Sequence, residues 1–557
     1  MLANKELPVQ IMDTIDIILE ACNYLLDEAY ENSYTMFISR SNDISKGLDL
    51  IYSSTIDLKE ETIINIPRMC KNITYSLQEI IKYYDKDIIK LKNKLEYELI
   101  PLVKDMKQDF YYWCCVYPDE EKLINYYESE RIPLSCNEYV DNYEKRDQYK
   151  YDLSIIIIAY NKLDYTKLCV NSLLKHLPKN INYEIILINH GSTDGTKEYF
   201  ESLHPTKQLD ILENGWGLSA VKRIVEGKYV LAISNDVLVT ENAISNMLKC
   251  IKSDNKIAKV VPTTTNVSNF QSIVRNFSNL DKMYEFSSEN NVSDMFRWEQ
   301  RTRLCDPISL SSSKIFYSSS GVIPATYYIG TNLQLFPDDK CSLILRRNGY
   351  KLLLAKDSFC YHFGSITLRD EIKKSNEHEY YNEGRKSFAK TFGVDAWGTG
   401  FCWDYYLFEQ LKCDCTGHVD VLGINCGMGS NSLKVREKIK EDVKNLDVYL
   451  YNVTDEMEYY KDLVGISDRS DYFNNCYDSI EKIEGKYNYI IFDGNIEKYK
   501  NILSMLQNIF DKLLKQNGYL CIKTKNSNII SNLKFEYEKI TTTENWIILS
   551  KNSKVQY

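Results

Sequence analysis

Between residues 151 and 400, short apolar runs alternate with stretches of helical spacing, and this alternation limits what the chain can fold into more than any other feature. The pattern predicts strands at 153–159, 184–188, 208–212 and 229–233, with helices at 164–176, 195–203, 217–226 and 241–252. Strand–helix alternation builds an α/β fold around a mostly parallel sheet. Ligands of such sheets sit beyond the carboxyl ends of the strands, so the polar residues just after each strand are the ones to inspect.

The first strand ends in Ala159-Tyr160-Asn161, and the second in Asn189-His190-Gly191-Ser192-Thr193-Asp194-Gly195-Thr196. The third leads into Asn214-Gly215-Trp216-Gly217 and the fourth into Ser234-Asn235-Asp236-Val237. Further on come Phe336-Pro337-Asp338-Asp339 and Cys360-Tyr361-His362-Phe363-Gly364-Ser365. Each fragment alone has an ordinary structural reading. Ser192 to Thr196 cap a helix, Asp236 ends a strand, and His362 is a core histidine. Their order and spacing are what single them out.

The flanks have other patterns. Residues 1–150 carry Ile11, Ile15, Ile18 and Leu19, then Leu77, Ile80 and Ile81, then Ile88, Leu91 and Leu95 at helical spacing, with proline breakpoints at Pro8, Pro67, Pro101 and Pro118. Three to five amphipathic helices in a bundle are predicted, serving as a structural appendage or as a docking surface for an acceptor or partner. Residues 413–557 begin a second α/β series, with strands at Val419–Ile424, Val448–Val453, Tyr487–Phe492, Tyr519–Lys523 and Trp546–Ser550, a helix at 496–515, and a linker at 401–418.

Composition excludes several functions. A net charge of −10 argues against nucleic acid and against anionic membrane surfaces as partners. No apolar run approaches the ~18 residues of a membrane span, and acidic residues interrupt the first twenty before a signal-like core forms. Sixteen cysteines without a C-x-x-C pair read as reduced and mostly buried. A cytoplasmic protein without integral membrane association is expected.

In order, SIIIIAYN, ILINHGSTDGT, ENGWGLSAVKRIVEGKYVLAISNDVLV and LFPDDKCSLILRRNGYKLLLAKDSFCYHFGS resemble the motifs of inverting family 2 glycosyltransferases over about 151–395. The resemblance implies a GT-A fold and transfer of a sugar from a nucleotide-diphospho-sugar donor. It implies that Asp236 survives from a DXD-type site, with Ser234 in the first acidic place, and holds Mn²⁺ or Mg²⁺ together with His362. By the same resemblance Asp338 is the general base, or Asp339 if the register slips by one. Pro337 and Lys340 replace acidic residues beside it. Ala159, Tyr160, Asn161, His190, Asp194, Asn214, Gly217, Lys222, Asn235 and Asp236 are then the candidates for nucleotide-sugar binding. Arg346 and Arg347 would reach phosphate or form a solvated helix face. UDP-GlcNAc is the favoured donor. The arrangement also resembles flagellin-modifying enzymes that place N-acetylglucosamine on Ser/Thr hydroxyls, which makes a protein such as flagellin the expected acceptor.

VDVLGINCGMGSNS, and KYNYIIFDGNIEKYKNILSMLQNIFDKLLKQNGYLCI after it, resemble class I S-adenosylmethionine-dependent methyltransferases over about 419–550. Gly423 and Asn425 stand where an acidic residue and the first glycine belong, and Thr454 where a ribose-binding acid belongs. Such losses remove charge-assisted bonds to the cofactor. S-adenosylmethionine is therefore not expected as a cofactor, and 413–557 is expected to be a non-catalytic Rossmann-like domain. The competing readings are a bifunctional glycosyltransferase–methyltransferase of surface-glycan synthesis and a non-catalytic scaffold.

Overall fold

The structure is a computed structural model. It describes residues 6–57, 66–116, 118–122, 149–212, 218–316, 328–329, 332–333, 336–364, 366, 377–475, 480–526, 529, 538–542 and 545–551. Helices Leu7–Glu31, Phe37–Thr55, Ile66–Tyr83, Ile88–Lys94 and Ile100–Tyr111 form the amino-terminal bundle, the last two joined through a π turn at Leu95–Leu99. In the first helix Ile11, Ile15, Ile18, Cys22 and Leu25 recur every three or four residues and are all buried, as an amphipathic stripe requires. Asp87 starts the fourth helix by accepting the Lys90 N–H.

The bundle is continuous with the first sheet of the fold. Its apolar stripe forms one core with Ile156, Ile186, Ile188, Leu209 and Ile211 of that sheet. Buried ionic bonds fasten the same interface. Lys94 Nζ lies 2.6 Å from both Glu98 and Asp210, and the Asp210 N–H donates to Glu98 at 2.8 Å.

This first sheet is built from β1 (Tyr151–Ala159), β2 (Tyr183–His190), β3 (Lys207–Ile211), β4 (Gly227–Ser234), β6 (Ile257–Thr263), β7 (Trp298–Arg301), β8 (Ile308–Ser312) and β11 (Lys351–Phe359). The strand order is β3-β2-β1-β4-β8-β6-β11-β7. Strands β1 to β4 are parallel, as the alternation predicts, whereas β8 runs antiparallel to β4 and β6, and β7 antiparallel to β11. A two-stranded ribbon of β5 (Val237–Leu238) and β12 (Tyr361–His362) is separate from it, as is the short pair β9 (Tyr328–Ile329) and β10 (Asn332–Leu333).

The second sheet holds β13 (Val419–Ile424), β14 (Val448–Thr454), β15 (Arg469–Tyr472), β16 (Tyr487–Phe492), β17 (Leu514–Lys523), β18 (Glu538–Thr542) and β19 (Trp546–Ser550). Its order, β15-β14-β13-β16-β17-β19-β18, is doubly wound through β17 and antiparallel in its last two strands. The two sheets are bolted together. Lys434 pairs with Glu299 at 2.8 Å, and the Gln300 N–H donates to Glu437 at 2.9 Å. Arg346 and Arg347 both pair with the buried Asp462, at 3.0 and 2.8 Å. These arginines therefore serve the interface between the sheets and are neither phosphate ligands nor a solvated face. The expected linker at 401–418 is likewise ordered against its surroundings, with helix Tyr405–Gln410 inside it and Phe408, Leu411 and Cys413 buried in the second core.

Candidate functional site

The carboxyl ends of β1, β2 and β4 lie side by side, with Ala159 opposite Asn189 and Ile158 opposite Ser234. A cavity of 1380 Å³ opens above them. Tyr160, His190, Asn235, Asp236, Asp338, Asp339 and His362 all line it. Residues from separate stretches of sequence thus reach one space.

The ribbon explains how Asp236 meets His362. Val237 pairs with His362 and Leu238 with Tyr361, and the Phe363 N–H donates to the Asp236 carbonyl at 3.0 Å. The two side chains are consequently neighbours, with His362 Nε2 3.3 Å from Asp236 Oδ2. A carboxylate and an imidazole this close suit Mn²⁺, and a diphosphate would bring the further oxygens such an ion needs. Among the described residues no group of three or more His, Cys, Asp or Glu side chains is placed to hold a metal ion, so an ion held by this pair would need its remaining ligands from substrate and water.

Helix Pro337–Arg347 places Asp338 and Asp339 in its first turn. The two carboxylates have different fates. Arg303 holds Asp339, Nε to Oδ1 at 2.7 Å and a terminal guanidinium nitrogen to Oδ2 at 3.3 Å. Asp338 has no such clamp among the described residues. Its Oδ2 accepts the Asp306 N–H at 3.3 Å, while Asp306 is ion-paired to Lys259. Burial, then the negative charges of Asp306 and Asp339, opposed by Lys259, push the Asp338 carboxyl up to about 7. A carboxylate tuned to near neutrality is suited to accept a proton. Burial raises the Asp339 carboxyl too, against the Arg303 guanidinium that lowers it, so it is the Arg303 clamp that separates Asp339 from Asp338.

The other expected residues, Asn235 apart, are elsewhere. Lys222 is buried and donates to Gln108 of the bundle at 2.8 Å, away from the cavity. Asp194 caps two helices, accepting the Leu163 N–H at 2.8 Å and the Thr196 hydroxyl at 2.6 Å. Asn161 accepts the Thr193 N–H at 2.8 Å, Ala159 is buried in the core, and Asn235, at the cavity edge, donates to the Asn161 carbonyl at 3.1 Å. Asn214 and Gly217 lie outside the described residues.

Sequence reasoning missed Lys259, Arg303 and Asp306, since no motif marks them. Arg303 and Asp306 lie in the connection that leads into the antiparallel β8, and Lys259 of β6 acts on the site through its ion pair with Asp306. It also missed the far wall. Residues Trp397 to Asp404, with Asn431 of helix Ser430–Val443 and Lys523 of the second sheet, line the same cavity. The one hint was the run of glycine and aromatic residues in Trp397-Gly398-Thr399-Gly400-Phe401.

Comparison with known proteins bears on the first sheet. Residues 154–302 match Glycosyl transferase family 2. The chain is 31% identical over 149 residues to the chondroitin synthase and to the hyaluronan synthase of Pasteurella multocida. Those matches cover 26% of this chain and only 15% of the length of each synthase. Among solved structures, GalNAc-T7 with UDP, GalNAc and Mn²⁺ aligns at 13% identity over 42% of this chain and 51% of that one, with a TM-score of 0.30. The family match falls on the sheet whose strand ends carry the cavity.

Proposed function

We propose that the protein is an inverting, metal-dependent glycosyltransferase, and that its domains are a helical bundle at 1–150, a GT-A domain at 151–400 and a methyltransferase-like domain at 413–557 without methyl-transfer activity. The observation that carries this reading is the convergence of Asp236, His362 and Asp338 on one cavity at the strand ends. A nucleotide-diphospho-sugar lies over Tyr160 and His190 with its diphosphate toward Asp236 and His362. Mn²⁺ or Mg²⁺ held by those two residues would offset charge on the departing nucleoside diphosphate. Asp338 takes the proton of the acceptor hydroxyl as that oxygen attacks the anomeric carbon. Arg303 fixes Asp339 and keeps it from competing for that proton.

The favoured donor is UDP-GlcNAc and the favoured acceptor a Ser/Thr hydroxyl of a surface protein such as flagellin, modified in the cytoplasm. Among the described residues no helix is long and apolar enough to cross a membrane. The doubly wound order of the second sheet supports its methyltransferase-like descent.

The test is release of nucleoside diphosphate from UDP-, GDP- and dTDP-sugars with Mn²⁺, beside Asp236→Ala. Release from one donor, lost in the variant, supports the reading. Equal release by both proteins would overturn it. Intact-mass analysis of co-expressed flagellin tests the acceptor, where a hexosamine-sized increment is expected.

A further inference from the structure

One edge of β12 pairs with β5 and so brings His362 to Asp236. Its other edge is held by the loop 264–272, which follows β6. The Thr265 hydroxyl donates to the His362 carbonyl at 2.7 Å and accepts the His362 N–H at 3.0 Å, as the opposite residue of an antiparallel strand would. The Asn266 amide donates to the same carbonyl at 2.9 Å. The far end of the loop grips the base side in the same way. The Gln271 amide oxygen accepts the Cys305 N–H at 2.8 Å, and its nitrogen donates to the Cys305 carbonyl at 2.9 Å. That carbonyl belongs to the peptide unit whose N–H, on Asp306, donates to Asp338 Oδ2 at 3.3 Å. A hydrogen bond at a carbonyl polarises its peptide and strengthens the N–H as a donor. Gln271 therefore acts on Asp338 through a single peptide unit.

We propose that the loop 264–272 is a brace that sets the metal pair and the base at a fixed separation, with Thr265 the positioning residue for His362 and Gln271 the positioning residue for Asp338. The inference rests on the glycosyltransferase reading and deepens it. A displacement at the anomeric carbon needs the attacking oxygen and the departing diphosphate on opposite sides of that carbon, so the base and the metal pair have to keep their distance.

The loop is cross-linked along its length. Its ends meet in a bridge between Thr264 and Ser272, with the Thr264 N–H donating to the Gln271 carbonyl at 3.2 Å and the Ile273 N–H to the Thr264 carbonyl at 2.8 Å. Inside it, the Ser272 hydroxyl accepts the Val267 N–H at 2.7 Å and donates to the Val267 carbonyl at 2.5 Å. The Asn269 amide donates to the Arg303 carbonyl at 2.7 Å and to Gln271 Oε1 at 3.0 Å. Thr265 and Gln271 are only 5% and 1% exposed, and hydrogen bonds so buried are costly to break. Asn266, Asn269 and Phe270 have φ of 53°, 65° and 50°, a left-handed conformation that a residue as bulky as Phe270 seldom adopts. Arg301 holds that turn through the Asn269 and Phe270 carbonyls, at 3.2 and 3.3 Å. Backbone strain that the surroundings over-determine is characteristic of preorganised sites, and Asn266 to Phe270 line the cavity itself.

The two ends predict separable defects, read on the full chain by electron paramagnetic resonance of added Mn²⁺ and by pH–rate profiles of nucleotide release. Thr265→Val keeps the side-chain shape and loses both bonds to His362. It should bind Mn²⁺ about tenfold more weakly, the order for a lost partner behind a metal ligand, with its pH limb unmoved. Thr265→Ser keeps the hydroxyl and should bind as the wild type does. Gln271→Met keeps the length and loses both bonds to Cys305, which weakens the Asp306 N–H donation that favours ionised Asp338. The groups acting on that carboxyl, Asp306, Asp339, Lys259, Arg303, Cys305 and Cys341, stay in place. Release should therefore fall about threefold more at pH 6 than at pH 8, with Mn²⁺ affinity unchanged. Ser272→Ala touches neither end but opens the loop's own closure, and should show both defects. Thermal melts report whether each variant is folded. Lower melting temperatures with neither defect, both defects in each end variant, or neither in Ser272→Ala would overturn the proposal. If no donor is consumed, the glycosyltransferase reading fails by itself. The brace is then decided by Mn²⁺ binding and by the difference in melting temperature between pH 5 and pH 8, which should widen in Gln271→Met because a carboxyl raised further loses more stability as pH rises through it. Weaker Mn²⁺ binding confined to Thr265→Val and a wider difference in Gln271→Met would support it, whereas absent or equal Mn²⁺ binding, or an unchanged difference, would overturn it.

Discussion

The backbone N–H of Asp306 donates to Oδ2 of Asp338 at 3.3 Å, and the Asp306 carboxylate is itself ion-paired to Lys259. The raised carboxyl of Asp338, about 7, results from burial, the charges of Asp306 and Asp339 and the opposing Lys259. As the base, Asp338 must be ionised, so activity should rise with pH through about 7. Lys259→Met removes the opposing charge and should move that limb to higher pH. Asp306→Asn removes a like charge and should move it to lower pH. Asp338→Asn should cost about 10²–10⁴-fold in kcat. A pH–rate profile of nucleotide release for the four proteins checks the signs. Limbs that coincide would remove Asp338 from the role.

The same shift bears on stability. A carboxyl whose folded pKa lies above its unfolded value, roughly 3.9 for Asp, contributes stability at low pH that is lost as pH rises through the folded value. For Asp338 that window runs upward from the ordinary carboxylate range to about 7. Asp338→Asn should therefore melt above the wild type at pH 8 by more than it does at pH 5. Thermal melts at the two pH values measure the difference, and an equal offset would mean that Asp338 is not held in its protonated form.

His362 Nε2 and Asp236 Oδ2, 3.3 Å apart, predict an unequal pair of metal-site variants. Asp236→Ala removes the only carboxylate of the pair and should abolish Mn²⁺-dependent nucleotide release. His362→Ala leaves the carboxylate and should raise the Mn²⁺ concentration for half-maximal release by at least about tenfold, an imidazole ligand being worth that order in a site completed by phosphate oxygens. Metal titration of both variants with EDTA-treated protein checks the ranking.

The parallel core and the strand-end residues were legible in the sequence because alternation and the strand-end rule are local signals. Predicted strand Val419–Ile424 matches the observed element at both ends, and 153–159 falls two residues short at its start. The pairing of Asp236 with His362 was legible only through family resemblance, since nothing local says that a two-residue ribbon joins them. Lys222 was misplaced for a physical reason. The face carrying it is covered by the bundle, and no periodicity in residues 100–111 announces that Gln108 will receive its amine. Arg346 and Arg347 likewise could not declare a partner 116 and 115 residues away. The segment around Gly400 has loop composition, and only the folded chain reveals that the carbonyls of Thr399 and Gly400 accept from the Met428 and Ser430 N–H groups of the Asn425–Gly429 loop and the helix after it.

Those hydrogen bonds predict how the second domain responds to S-adenosylmethionine and to substitution. The Met428 and Ser430 N–H groups are occupied by Thr399 and Gly400, so a titration with the cofactor should give no saturable heat. Gly400→Ala adds a Cβ beside the Cys426 carbonyl at a φ of +70°, which should cost about 1–3 kcal/mol from backbone strain and more if the segment cannot shift. If the variant instead lifted the segment off the loop, cofactor binding would emerge in Gly400→Ala alone. Binding in the wild type would show that the segment is readily displaced.

Asp462 carries the sharpest prediction for the interface between the sheets, because one buried carboxylate pairs with two arginines. Arg346 and Asp462 are almost wholly inaccessible, and Arg347 is nearly so. Removing one partner of a buried pair leaves an uncompensated charge and costs about 3–5 kcal/mol. Asp462→Ala should therefore unfold at markedly lower denaturant concentration than the wild type. The helix carrying both arginines begins at Pro337 and also carries Asp338, so the loss should reach the base as well. Nucleotide release should fall in Asp462→Ala even under conditions where the protein stays folded, while Asp462→Asn, which keeps the shape and one of the two accepting oxygens, should lose stability but less activity. Denaturant melts and nucleotide release measured on the same preparations separate these effects. A fully active, stable Asp462→Ala would mean that the two sheets do not depend on this contact.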